Sequence, residues 1–395
     1  MKARDVRWRA VVAVAVLLLA GLGAGPSAAT GTGWTASAGV AESYAPTSGG
    51  WGGTGGQTLR MPVRTSLGGS QLRVRLTNRY ATTATQLGHV TIGLQQGGAN
   101  TAGSPTTVTF GGSQSLTMAA GASAVSDPVA LPVSANSRLL LSVYIPPGAN
   151  ALPPRHDLAV TTGYNYNGGD ASGAMVFPVG NTFSFISMFD GLDVSAAAPS
   201  TVVVMGDSIS DGLNLAPDTD TRWPDRLAAR VAPLGLAVVN EGISGDEVTV
   251  DQATAPSIQT RWSTDGLGPA GVRTIIEQGG INDIRTGVPV TVLEAAQQQL
   301  IASAHTAGVR VLLTTLTPMA GSSGDTATQE SARSAYNAWE LSGASGADGV
   351  VDVDGALRDP ANPAAMLAAY DSGDHLHPNA AGDLVMADVV GAGQL

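Results

Sequence analysis

Near residue 196 the sequence changes its periodicity, and that change limits the fold more than any single residue does. Before it, apolar residues alternate with polar ones over short runs. After it, apolar runs alternate with longer segments of helical period. The stretch Ser195-Ala196-Ala197-Ala198-Pro199, made of small residues and a proline, marks the join. A chain with period two on one side and alternating strand and helix patterns on the other predicts two differently built domains.

In the first part, Leu72, Val74 and Leu76 alternate with Arg73, Arg75 and Thr77, the pattern of a strand with one buried face. Similar runs occur at 89–94, 106–110, 139–145, 158–162 and 182–188. Turn signals separate them: Gly68-Gly69, Gly97-Gly98, Gly111-Gly112, Pro146-Pro147-Gly148 and Gly168-Gly169-Asp170. Residues 30–56, rich in Gly, Ser, Thr and Ala, read either as a leader or as first strands. The expectation for 30–196 is an all-β sandwich.

In the second part, strands are expected at 201–205, 237–240, 273–278, 310–315 and 349–353. Helices are expected at 224–231, 290–307, 326–342 and 380–390. Pro224 suits a first helical turn, where its missing N–H costs nothing. Asn379 suits a cap. Five strands joined by helical crossovers predict an α/β domain over 197–395, with a doubly wound, flavodoxin-like parallel five-stranded sheet.

The chain contains no cysteine, which excludes disulfides, thiolate nucleophiles and cysteine metal sites. Residues 1–29 read as a secretory leader. Lys2, Arg4, Arg7 and Arg9 precede an apolar run over 10–23, and Ser27-Ala28-Ala29 offers small residues for cleavage. The run is shorter than the roughly 20 residues that span a bilayer. A secreted chain without a membrane anchor is therefore expected, and a monomer. The net charge is −11, from 31 acidic and 20 basic residues, and loss of the basic leader makes the remainder more acidic. Such a chain repels nucleic acid and anionic membranes. Lys2 is its only lysine, so no Gly-x-x-x-x-Gly-Lys loop exists to hold a nucleotide phosphate.

Ligands bind such sheets beyond the carboxyl ends of the strands. Gly206-Asp207-Ser208 follows the first expected strand, Asn240 to Asp246 the second and Gly279 to Asp283 the third. Asp374-His375-Leu376-His377-Pro378 precedes the last helix. A serine hydroxyl is a weak nucleophile until a base takes its proton, and histidine is the usual base. Of five histidines, His89 and His156 fall in the β-rich part and His305 falls mid-helix. His375 and His377 remain, with Asp374 or Asp371 as the carboxylate that orients the ring. The Ser208 and Gly245 N–H groups and the Asn282 amide are candidate oxyanion donors. Asp207 and Asp283 read as structural. Asp211, Asp218, Asp220 and Asp225 read as a solvated acidic loop in preference to a calcium site. Trp34, Trp51, Trp223, Tyr164 and Tyr166 read as packing residues first, and all but Trp223 also as sugar platforms. No cofactor or metal is expected.

Gly206-Asp207-Ser208, Gly245, Gly280-x-Asn282 and Asp374-x-x-His377, in that order, resemble the four blocks of the SGNH (GDSL-type) hydrolase superfamily. Around Ser208 there is no Gly-x-Ser-x-Gly elbow. Isoleucine stands at 209, where the short family name has leucine. The resemblance covers about residue 201 to the end. It implies Ser208 as nucleophile, His377 as base, Asp374 as the third triad member, and Ser208, Gly245 and Asn282 as the oxyanion hole. The β-rich part resembles the amino-terminal domain of secreted two-domain members, some of them carbohydrate esterases with a jelly-roll in front. The implied activity is hydrolysis of carboxylic esters, short acyl groups on polysaccharide among them. The alternatives are a lipase or general short-chain acylhydrolase, or a carbohydrate-binding surface protein with an inactive hydrolase half.

Overall fold

The computed structural model describes residues 33–149, 151–198 and 200–395; the expected leader lies outside them. The first domain is built from two antiparallel sheets. The smaller has the strand order Trp34–Gly39, Phe189–Ser195, Leu72–Thr77, Ser123–Val125. The larger runs Asn181–Phe183, Gly163–Tyr166, Gln57–Arg64, Arg138–Ile145, His89–Gly97, Asn100–Thr101, and Thr106–Val108 also pairs with His89–Gly97. Alternation explains the layering: Leu72, Val74 and Leu76 from one sheet share a core with Leu59, Ile92, Leu139, Leu141 and Val143 from the other. Each such side chain contributes about 1.5–3 kcal/mol on full burial, which is how a cysteine-free sandwich holds together.

Two expected strands differ in the structure. Residues 158–162 form no strand; short strands flank them at Arg155–His156 and Gly163–Tyr166. Their polar groups turn instead to the second domain. Val160 O accepts the Asp218 N–H at 3.0 Å, and the Thr161 hydroxyl and the Thr162 N–H each donate to the Asp218 carboxylate at 2.9 Å. The run 182–188 breaks into Asn181–Phe183 and Ile186–Ser187, followed by Met188 at φ +65° and the long strand Phe189–Ser195.

The second domain carries a wholly parallel sheet in the order Ala237–Gly242, Thr201–Gly206, Val272–Gln278, Arg310–Thr314, Gly349–Val351. In chain order this is 2-1-3-4-5, the flavodoxin-like winding. Helices Trp223–Val231, Val290–Thr306, Ala327–Leu341 and Ala380–Val389 flank it. Asn379 caps the last of these, accepting the N–H groups of Ala381 and Gly382 at 2.9 and 3.1 Å. The fifth strand stops at Val351 because Asp352 caps a new helix, Val353–Leu357, by accepting the Gly355 N–H at 2.8 Å. Every residue of strand Thr201–Gly206, second in the sheet, is buried.

The sandwich covers the edge strand Ala237–Gly242. The Val238 N–H donates to Ser66 Oγ at 3.0 Å, so this edge group is paired across the interface instead of being left for another chain. Strand Trp34–Gly39 bridges both domains: the Ala36 N–H donates to Ala270 O at 2.8 Å, and Ala36 O accepts the Thr201 hydroxyl at 3.1 Å. A Cβ on Gly39 would lie 2.1 Å from Glu241 Oε1, so glycine is what permits this approach. Among the described residues, no helix is long and apolar enough to cross a membrane.

Candidate active site

The winding reverses between Thr201–Gly206 and Val272–Gln278: the chain passes from Thr201–Gly206 to Ala237–Gly242 on one side, then crosses to Val272–Gln278 on the other. A crevice opens beyond the carboxyl end of a strand at such a point. There Gly206 lets the chain turn between close neighbours; a Cβ would lie 2.5 Å from Ser210 Oγ and 2.9 Å from Gln278 O. Asp207 caps the short helix Ser208–Asp211, accepting the Ile209 N–H at 2.9 Å. Burial pushes the Asp207 carboxyl up to about 7, against the Ile209 and Gln278 hydrogen bonds. Ser208 thus opens a helix, and the N–H at that position has no partner within the helix.

Ser208 Oγ lies 2.8 Å from His377 Nε2, and His377 Nδ1 lies 2.6 Å from Asp374 Oδ2. Ser208 is 6% exposed and His377 7%. The turn before helix Ala380–Val389 explains why the acid and the histidine meet. Asp374 Oδ1 accepts the N–H groups of Leu376 at 3.0 Å and His377 at 2.9 Å, folding the loop back on itself. Burial raises the Asp374 carboxyl, but the bonds from the His377 backbone and ring and from Leu376 outweigh it and hold it well below its ordinary range. The two open candidates separate cleanly. His375 points away, half exposed, with Nδ1 2.6 Å from Asp371 Oδ2. His305 pairs with Asp348 and His89 with Asp170.

Gly245 has φ +83°, the left-handed region, with nothing within 4 Å of where a Cβ would be. Asn282 lies in the first turn of helix Ile281–Thr286, which Gly280 enters at φ +116°. One N–H of its amide donates to Asp246 O at 2.8 Å, which fixes the side chain and leaves the second N–H for another acceptor. Asp283 is structural: it accepts the Val248 and Thr249 N–H groups at 2.8 and 3.1 Å.

Three residues at the site escaped the sequence reading. Asn214 donates to Asp374 Oδ2 at 2.8 Å. Arg261, fully buried, donates to Asp246 Oδ2 at 2.8 Å and to Gly206 O at 3.1 Å, and also to Glu241 O. It ties together the ends of two strands and the loop that holds Asn282. Burial works against the Arg261 charge, and Asp246 and Asp265 more than restore it. His156, set aside as a β-domain residue, reaches Asp211 at 2.9 Å. Nothing in their local sequence marks them, because the side chains they meet at the site, Asp374, Asp246 and Asp211, lie 160, 15 and 55 positions away.

The acidic loop is a solvated face only in part: Asp218 is exposed and Asp220 half-buried, whereas Asp211 and Asp225 are buried, and all four have partners. Asp211 pairs with His156, Asp220 with Arg138 at 2.7 Å, Asp218 with Thr161 and Thr162, and Asp225 with Arg222 at 2.8 Å. All four are held at least in part by the first domain, Asp225 through Arg64 at 3.7 Å, which sequence spacing does not show. Among the described residues, no group of three or more His, Cys, Asp or Glu is placed to hold a metal. Trp223 is buried and donates to Ser210 Oγ at 3.1 Å. Arg73 stacks on Trp34 at 4.2 Å, Trp51 packs against Phe183 and Phe185, and Tyr164 and Tyr166 pack beside Phe177.

Residues 204–384 match the model of the GDSL-like lipase/acylhydrolase family. A lipolytic protein of the G-D-S-L family from Desulfitobacterium hafniense is similar at 22% identity and TM-score 0.39, over 48% of this chain and 97% of that one. A GDSL-like lipase from Bacteroides thetaiotaomicron is similar at 18% identity and TM-score 0.38, over 49% and 86%. So is a variant of an acetyl-xylooligosaccharide esterase from Geobacillus stearothermophilus, at 21% identity and TM-score 0.38, over 49% and 92%. None of the curated proteins matches.

Proposed function

Because residues 204–384 match the model of the GDSL-like lipase/acylhydrolase family, we propose that this chain is a secreted serine esterase acting on short acyl esters. The hydrogen-bonded series Ser208–His377–Asp374, at 2.8 and 2.6 Å, carries the reading. Ser208 Oγ attacks the ester carbonyl while His377 Nε2 takes its proton. Asp374 holds the ring and balances the imidazolium. The Ser208 and Gly245 N–H groups and the free N–H of the Asn282 amide receive the oxyanion. His377 returns the proton to the departing alcohol, leaving an acyl-serine. Water, deprotonated by His377, releases the acid and restores the hydroxyl.

Ser208→Ala lowers p-nitrophenyl acetate turnover by about a thousandfold or more with the fold intact; retained turnover overturns the reading. Secretion is supported by the leader pattern of residues 1–29, and cleavage there is read by the amino terminus of the exported protein. We extend the reading to acyl groups on polysaccharide, the ester a secreted enzyme meets outside the cell. Acetylated xylan and pectin, set against p-nitrophenyl esters of graded length and triglycerides, decide between that and a general acylhydrolase.

A further inference from the structure

His156 stands in the first domain, yet its ring reaches the helix that begins at Ser208. The side chains of His156 and Asp211 are 6% and 2% exposed. His156 Nδ1 faces Ala41 O at 2.9 Å, and Nε2 faces both Leu158 O and Asp211 Oδ1 at 2.9 Å. All three are acceptors. A neutral imidazole has one N–H and one lone pair, so either tautomer would aim a lone pair at an oxygen. Only the doubly protonated ring donates on both sides. Burial disfavours that charge, and Asp211 with the two carbonyls more than restores it.

The far side of Asp211 continues the path. Its Oδ2 accepts the Ser244 N–H at 2.9 Å and the Ser244 hydroxyl at 2.6 Å. Ser244 immediately precedes Gly245. A cavity of about 90 Å³ lies beside this contact, between the domains, and does not include Ser208, Asp374 or His377 in its lining. The other charged groups on it are Arg64, Arg138, Arg222, Asp220 and Asp225. They are paired among themselves, Arg222 with Asp225 and Arg138 and Arg64 with Asp220. Asp211 is the carboxylate bonded to the His156 ring.

We infer that His156 is a positioning residue contributed by the β-sandwich, which as an imidazolium clamps Asp211 and through it sets the Ser244–Gly245 loop of the oxyanion site. The catalytic part of this inference rests on the esterase reading. The clamp acts on a donor used in the transition state, so its loss lowers kcat and leaves KM nearly unchanged.

The test uses the full chain. In the 15N-histidine-labelled protein at pH 7.5, the His156 signals, identified by their loss in His156→Gln, show both ring nitrogens protonated; a neutral tautomer overturns the inference. With p-nitrophenyl acetate, His156→Gln lowers kcat about tenfold with KM within about twofold. Ser244→Ala also lowers kcat, and the double variant falls no further than the worse single one. In the parent, kcat declines on the alkaline side with the midpoint at which His156 loses its proton by NMR, and His156→Gln lacks that limb. An unchanged kcat in His156→Gln, or multiplicative effects, overturns the inference. If His156→Gln fails to fold, an unchanged kcat in Ser244→Ala does so. A parent that hydrolyses no ester defeats the esterase reading instead, and the ring-nitrogen spectrum then decides the protonated clamp by itself.

Discussion

Asp374 does more than face an imidazole. One oxygen accepts two backbone N–H groups, and the other takes the His377 ring and the Asn214 amide. An asparagine here keeps an oxygen for the backbone but sets its NH2 against two donors. His377 is then driven to the tautomer with its proton on Nε2, which is unable to accept from Ser208. Asp374→Asn is expected to lower kcat for p-nitrophenyl acetate by about 10⁴-fold with unchanged circular dichroism; a loss below tenfold would remove Asp374 from the orienting role. Asn282→Ala is expected to lower kcat by about 10²–10³-fold with little change in KM, because in the proposed mechanism the amide serves the transition state. These residues were legible because chemistry makes them scarce. Five histidines leave few bases, and a donor just beyond a strand end has few structural reasons to be there. Asn214 was illegible, since an exposed asparagine at φ +71° reads as a turn until its partner 160 positions away is known.

At the level of elements, the site depends on how the loops after the strands are tied to one another. Arg261 does this from the short helix Ile258–Arg261, joining Gly206 O, Glu241 O and Asp246, whose own carbonyl holds Asn282. Arg261→Met would leave the Asp246 carboxylate buried without its cation, a loss of about 3–5 kcal/mol in urea-unfolding stability. Adding Asp246→Asn should recover part of that, since the two residues act as one unit; strictly additive losses would show that Arg261 serves only the carbonyls. The strands and four long helices of the second domain were readable from their periods to within a few residues, whereas Gln57–Arg64 and Phe189–Ser195 of the first domain were not. Arg261 was not, because an isolated arginine near a helix end carries the same local signal whether it faces water or bridges three loops. The false strand at 158–162 has the same origin: its β-like residues are claimed by Asp218, some 56 positions on.

Across the whole molecule, the two domains meet over charges as well as strands. Glu42, fully buried, has neither carboxyl oxygen hydrogen-bonded, and Asp190, Asp265 and Arg79 stand near it, as they do near Glu241. Burial, followed by repulsion from Asp190, raises the Glu42 carboxyl well above its ordinary value, and Arg79 opposes this only in part. Glu241 is raised in the same way, by burial and then by Asp265 and Asp190. The sign of the linkage follows. Below about pH 4.5 both states hold the proton and the full stability is present. Above it the unfolded chain loses the proton while the folded chain keeps it, so stability falls as pH rises toward the folded pKa. These two carboxyls at the join of the domains therefore contribute more stability in mild acid than at neutral pH, whereas Asp374 acts in the opposite sense at lower pH. Glu42→Gln keeps the shape and removes the titration. Its midpoint of thermal unfolding should exceed the parent's at pH 8 and approach it at pH 4.5, as read by calorimetry. An equal difference at both values would mean that Glu42 is ionised in the folded chain, held by Arg79, and that the interface tolerates its charge.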